Sequence, residues 1–165
     1  MKKLTILIDM DGVLVDFRSG IDWASEGEES PEEIEEKYGG WDNVPNIFSK
    51  MTPMPGALEA FEKLSNEHDV YIVSTAPWDN SSAWSDKRDW VVRYLGEAAE
   101  KRLILTHHKN LVRGDIIIDD RTKRGVAEHP GRHIHFGHDP FTGEVNEFPD
   151  WPSALAEVDQ IAKSQ

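Results

Sequence analysis

The sequence predicts a doubly wound α/β protein, a mostly parallel five-stranded sheet carrying a small helical insertion, on three observations. Short apolar runs recur at residues 4–8, 70–74, 102–106, 115–120 and 133–136, each ending in polar residues. Their length and β-branched content suit strands buried on both faces, as in a parallel sheet. Helical patterns separate them, and strand alternating with helix indicates an open, Rossmann-like winding. Residues 17–55 break that rhythm, with no strand pattern and many acidic and aromatic residues. The core is therefore expected at 1–16 and 56–165, with 17–55 inserted after the first strand as a small helical cap.

Each element has its own signal. LTILI at 4–8 is the first strand. In the insertion, SPEEIEEKYGG at 30–40 reads as a helix, with Ser30 as N-cap, Pro31 at the first helical position, Glu33 completing a capping box and glycines after the end. NVPNIFSKM suggests a second short helical turn. Residues 56–66 place Leu58, Phe61 and Leu64 on one stripe, and 82–95 place Trp90, Val91, Tyr94 and Leu95 on another, stopped by Gly96. Trp151, Leu155 and Val158 make a closing helix opened by DWPS. The acidic patch at 26–36 reads as a solvated helix face.

Composition bounds the function. At 165 residues the chain suits one domain with a real core. A formal net charge of −13 repels phosphate backbones at long range, which argues against a nucleic-acid polymer as partner. The absence of cysteine excludes disulfides, thiolate catalysis and thiolate metal sites. MKKLTILI opens with two lysines before an apolar run, but the run stops at Asp9, short of a signal-peptide h-region. No apolar stretch approaches the roughly 18 residues of a membrane span. NSS at Asn80 fits a glycosylation sequon with no export signal beside it. A cytoplasmic protein with no membrane partner is expected.

Ligands of open α/β sheets bind outside the carboxyl ends of the strands, and the strand ends here carry phosphate chemistry. The first ends at Asp9 and Asp11, the second at Ser74 and Thr75; the third leads to Lys109, and the fourth ends at Asp119 and Asp120. Four carboxylates against one lysine would repel a phosphate dianion. A hard divalent cation resolves the conflict, and Mg²⁺ commonly bridges carboxylates to a substrate phosphate. Asp9 can then attack phosphorus and form an aspartyl-phosphate. Asp11 can protonate the leaving oxygen and later take a proton from the hydrolytic water. Gly12 lets the chain turn sharply. Thr75 and Lys109 would donate to phosphoryl oxygens, Asp119 would hold the metal, and Asp120 would orient a metal-bound water or Lys109.

In this order, DMDGV, the strand ending in Thr75, Lys109 and DD resemble the motif set of haloacid dehalogenase-superfamily phosphatases. DMDGVLVDF, PMPGA, STAP, DKRDWVVRYLG, LTHHKNLVRGD and IIIDDR are similar to segments of the 5'(3')-deoxyribonucleotidases within it. The resemblance implies a magnesium-dependent phosphatase acting on nucleoside monophosphates, with a small helical cap between the first two motifs. It makes Asp9 the nucleophile, Asp11 the acid/base, and Thr75 and Lys109 phosphate ligands. Asp9, Asp119 and the Asp11 main-chain carbonyl would hold the metal, and Phe17 would border the substrate. The family's serine after the motif threonine is Ala76 here, which removes one phosphate hydrogen bond, and the cap looks shorter than in the animal enzymes.

Other readings remain beside it. Phe17, Trp41 and Trp78 offer aromatic faces for stacking a base, although both tryptophans equally suit packing. Few basic residues near them could hold a second phosphate, which favours a monophosphate, with deoxy and pyrimidine nucleotides preferred over sugar phosphates. His129, His133, His135 and His138 lack zinc-site spacing and read as a polar strand edge; His107 and His108 read as surface residues. The alternatives are a phosphatase of the same superfamily acting on a sugar phosphate or another small metabolite, and a phospho-accepting signalling domain. The latter places its acidic pair early and a lone aspartate later, whereas here the early element is DxD, the late one is a pair, and a cap intervenes.

Overall fold

The computed structural model describes residues 1–140 and 142–165. The chain opens with β1 (Thr5–Ile8), then the short β2 (Val15–Asp16). The inserted segment follows as α1 (Phe17–Ala24), α2 (Pro31–Tyr38), 3₁₀ turns at Trp41–Asn43 and Ile47–Lys50, and β3 (Thr52–Pro53). Then come α3 (Ala57–Glu67), β4 (Asp69–Ser74), α4 (Ser81–Leu95), β5 (Leu103–Leu105), β6 (Ile116–Asp119), β7 (Arg132–His135) and α5 (Trp151–Ser164).

Five strands form one parallel sheet in the order β5-β4-β1-β6-β7, as the apolar runs predict. Its winding is uneven. Ile6, Ile8, Ile72, Ile116 and Ile118 share the large core with buried residues of α3, α4 and α5. On the opposite face Leu7, Val73 and Ile117 pack with Val112 and Val126. Those two valines come from connections that carry no α-helix among the described residues, so both faces are buried but only one is helical.

The inserted segment holds more structure than its sequence suggests. α2 follows the capping-box reading: Ser30 N–H donates to Glu33 Oε2 at 2.7 Å, and Glu33 N–H to Ser30 Oγ at 3.2 Å. The acidic side chains around it are exposed, as a solvated face requires. Three elements, α1, β2 and β3, have no counterpart in the sequence reading. α1 starts at Phe17, capped by Asp16, whose carboxylate accepts from Arg18 N–H at 3.1 Å. β2 and β3 pair antiparallel, Val15 with Pro53 and Asp16 with Thr52, and bring the two ends of the segment together. A two-residue strand is too short for any alternation to mark it.

Side-chain hydrogen bonds of Asn80, Ser82 and Trp90 help tie this segment to the sheet and its helices. Asn80 donates its amide to the carbonyls of Asp42 and Val44, at 2.8 and 3.1 Å, from a site only 4 % exposed. The sequon asparagine is thus a buried clamp and no glycosylation acceptor. Trp90 Nε1 donates to Met51 O at 3.1 Å, and Ser82 Oγ accepts from Asn46 N–H at 3.1 Å.

Candidate active site

The site grows from the junction of β1 with its two neighbours. The chain runs from β1 outward to β4 and β5, then returns across to β6, so β1 and β6 flank the topological switch point where α/β proteins bind ligands. Asp9 N–H donates to Ile118 O at 2.9 Å, which sets Asp9 beside Asp119 at the next strand end. On the other side Thr106 N–H bonds Ser74 O at 2.9 Å, and Thr75 Oγ1 donates to Thr106 O at 2.7 Å, orienting the threonine toward the same opening. Gly12 sits at φ +79°, and a Cβ there would lie 2.3 Å from Asp120 Oδ2. Only glycine lets the DxDG turn and the DD loop meet. Gly125 does the same for the loop after β6, where a Cβ would lie 2.7 Å from Asn110 N, and Lys109 N–H donates to Arg124 O at 2.8 Å.

The charges interlock. Lys109 Nζ lies 2.9 Å from Asp9 Oδ1 and 2.6 Å from Asp119 Oδ2, and all three residues are buried. Burial works to lower the Lys109 pKa, yet the Asp9 and Asp119 charges hold it above the ordinary lysine value. Burial first, and the Asp9 charge second, push Asp119 and Asp120 well above the ordinary carboxylate range. A second lysine, Lys87 of α4, is completely buried and lies 3.0 Å from Asp11 Oδ2. Four carboxylates therefore outnumber two ammoniums, where the sequence reading counted one lysine.

That surplus suits a divalent cation. Asp9, Asp119 and Asp120 each present an oxygen within 4.8 Å of the others, and Asp120 Oδ1 is buried without a hydrogen-bond partner. An orphaned carboxylate oxygen among buried acids is a donor set for a hard metal. Asp120, expected behind the metal, stands in the cluster itself. No histidine belongs to a metal-competent group among the described residues. His133 and His135 instead approach the Asp119 and Asp120 carbonyls at 3.0 and 3.1 Å, which their ring N–H groups satisfy as donors from the edge strand β7.

A cavity of about 670 Å³ opens over the strand ends. Asp9, Asp11, Phe17, Trp41, Thr75, Lys109, Asp119 and Asp120 line it, so most residues chosen from the sequence converge. Two do not. Ala76 is fully buried and Trp78 is 79 % exposed, and neither is among the lining residues. Trp78 meets His107 edge-on at 6.0 Å outside the cavity. The lining adds Phe48 and Ile21 on the apolar side and Glu35 and Asp42 from the inserted segment. Arg121, Lys123 and Arg124 join them from the loop after β6, so basic groups near the cavity exceed what the segment and the Thr75 loop supply. RTKR directly after DD is the signal that was available for these. For Lys87 it was a lysine on the buried stripe of Ala83, Trp90 and Val91.

A parallel sheet with DxD, Thr, Lys and DD at adjoining strand ends beneath an inserted helical segment defines a haloacid dehalogenase-type phosphohydrolase. Solved structures agree on the fold: a haloacid dehalogenase-like hydrolase from Xanthomonas campestris (TM-score 0.57, 12% identity, 99% of both chains), and a provisionally named HAD hydrolase from Bacillus subtilis bound to magnesium (TM-score 0.59, 13% identity, 98% of this chain and 99% of that one). The family described as 5' nucleotidase, deoxy (pyrimidine), cytosolic type C protein matches residues 2–154, and the chain belongs to it. A provisionally named 5'(3')-deoxyribonucleotidase of Vibrio phage KVP40 is 54% identical over 153 residues, covering 93% of this chain and 83% of the relative. The human cytosolic-type 5'(3')-deoxyribonucleotidase is 30% identical over 161 residues, covering 82% and 80%. The protein is thus an enzyme, a phosphatase of the nucleotidase kind, and not a phospho-accepting signalling domain. Among the described residues, no helix is long and apolar enough to cross a membrane.

Proposed function

We propose that this enzyme is a Mg²⁺-dependent phosphomonoester hydrolase that works through an aspartyl-phosphate and dephosphorylates deoxynucleoside monophosphates. The observation that carries the reading is the convergence of Asp9, Asp11, Thr75, Lys109 and Asp119 in one cavity with Phe17 and Trp41. Asp9 and Asp119, with Asp120 or the Asp11 main-chain carbonyl, would hold the metal. When bound, the cation neutralises the carboxylate surplus and polarises the phosphoryl group. An Asp9 oxygen forms the bond to phosphorus as the ester P–O bond breaks, and Asp11 gives its proton to the departing oxygen. Asp11 then takes a proton from the water that cleaves the acyl-phosphate, releasing phosphate and restoring Asp9. Lys109 donates to the phosphoryl oxygens where charge accumulates, and Thr75 does so on turning its single hydroxyl proton away from Thr106 O. Residues 17–55 act as the cap, with Phe17 and Trp41 facing the nucleoside; work in the cytoplasm is consistent with the cytosolic-type human relative.

A sugar phosphate or another small ester is the second reading, favoured by Ala76 and by the exposure of Trp78. A phosphatase assay over a panel of both classes tests the two. Activity should vanish in EDTA and return with Mg²⁺, and Asp9→Asn should lower turnover by at least about four orders of magnitude. Metal-independent turnover, or a near-normal Asp9→Asn enzyme, would contradict the mechanism. A panel led by sugar phosphates would replace the nucleotide as substrate.

A further inference from the structure

We infer that Lys87 is the positioning residue of Asp11, and that it couples the Asp11 carboxylate to the inserted segment above it; this rests on the acid/base role proposed for Asp11. Lys87 has no solvent exposure, and an ammonium out of water persists only where it is paired and hydrogen-bonded. Its three contacts come from three parts of the fold. Nζ lies 3.0 Å from Asp11 Oδ2, at the end of the DxD turn. It donates to Ser74 Oγ at 2.8 Å, at the end of β4. It also stands 4.5 Å from the centroid of the Phe48 ring, a cation–π contact to the turn Ile47–Lys50.

Lys87 does not line the cavity, whereas Asp11 and Phe48 do, so its effect must pass through them. Asp11 is held by one oxygen only: Oδ2 has the ammonium, while Oδ1 has no hydrogen-bond partner. A carboxylate pinned at one oxygen keeps a single rotamer, and the Asp11 side chain, 30 % exposed, stays open to the cavity for proton exchange. A general acid displaced by about 1 Å loses much of its effect. The helix supplies the rigidity, since Lys87 lies between Ala83 and Trp90 on the buried face of α4. Phe48 belongs to the same segment that supplies Trp41, so the contact that settles this segment also bears on the ammonium that aims Asp11.

The test separates leaving groups. With enzyme in excess and Mg²⁺ present, first-turnover release is followed for a nucleoside from its monophosphate and for nitrophenol from 4-nitrophenyl phosphate. Lys87→Met keeps the side chain's length and removes the charge. It should slow nucleoside release by about 100-fold while nitrophenol release stays within about threefold, because only the alkoxide needs a positioned acid. Ser74→Ala keeps the ammonium and removes one of its holds, and should show the same pattern at about tenfold. If Lys87→Met does not fold, Ser74→Ala carries the test. Equal slowing of both esters, or slowing of neither, would overturn the inference and leave Lys87 a buried structural charge. Asp11→Asn serves as reference: absence of leaving-group dependence there would overturn the acid/base reading and this inference together. Dependence in Asp11→Asn without it in the lysine and serine variants would overturn the inference alone.

Discussion

The strand ends and the inserted segment above them face the same cavity and are held in opposite ways. Below, Asp9, Lys109, Asp119 and Asp120 are between 1 and 7 % exposed, and Lys109 locks Asp9 and Asp119 by charge at 2.6–2.9 Å. Above, Phe17, Trp41 and Asp42 are half-buried, Glu35 is exposed, and the segment is held by apolar packing of Ile34, Val44, Ile47, Phe48 and Met51, by the Lys87–Phe48 contact and by neutral hydrogen bonds to Asn80, Ser82 and Trp90. A charged network buried this deeply holds its geometry within narrow limits, which suits bond-making chemistry. Half-exposed aromatics set on a mostly apolar and neutral frame suit recognition. Damage below should therefore strike every substrate, and damage above should separate substrates from one another.

The largest expected effect breaks the lower layer. Lys109→Met leaves Asp9 and Asp119 facing each other without their shared cation, and should lower kcat/KM by about 10³ on every ester. The same variant should bind Mg²⁺ more tightly, by about tenfold, because an ammonium no longer competes for the carboxylate oxygens. Isothermal titration with the metal reads this second effect; weaker Mg²⁺ binding would show that Lys109 organises the metal site instead of competing with it.

The upper layer should respond selectively. Trp41→Ala should raise KM for a nucleotide by about tenfold, the equivalent of one lost stacking contact, and leave a small aryl phosphate unchanged. Asn80→Ala removes two anchors at once and should destabilise the protein by about 1–2 kcal/mol, read by urea denaturation. A Trp41 variant equally impaired on both esters would erase the division between the layers. Trp78→Ala should be the quietest, within about 0.5 kcal/mol in stability and unchanged in KM, because its ring lies outside the cavity.

The comparison also has a pH signature. Asp119 and Asp120 have pKa values raised in the folded protein, by burial first and the Asp9 charge next, so the folded state holds protons that the unfolded chain has released. Stability of the metal-free enzyme should then fall as pH rises from about 5 toward 8. Saturating Mg²⁺ should flatten this slope by stabilising the ionised carboxylates. Thermal melts across that range, with and without the metal, check it; a metal-free stability rising with pH would mean that Lys109 more than offsets the burial.

The sequence by itself determined the five strands, the three core helices and the α2 capping box, because each is written in local periodicity or in a turn chemistry only a few residues long. It also determined Asp9, Asp11, Thr75, Lys109, Asp119 and Asp120, since polar residues closing apolar runs must collect at one edge of a parallel sheet. Tertiary structure alone decided the rest. Lys87 shows in sequence only as a lysine on the buried stripe of α4, and its partners appear only when α4 is laid against β4 and the Ile47–Lys50 turn. Asn80 reads as a sequon until Asp42 and Val44 are brought above it. Trp41 and Trp78 are equivalent as letters, and only the path of the chain sends one into the cavity and leaves the other in solvent. The physical reason is common to all of these: a side chain's role depends on partners tens of residues away, and no local pattern encodes a distance across the fold.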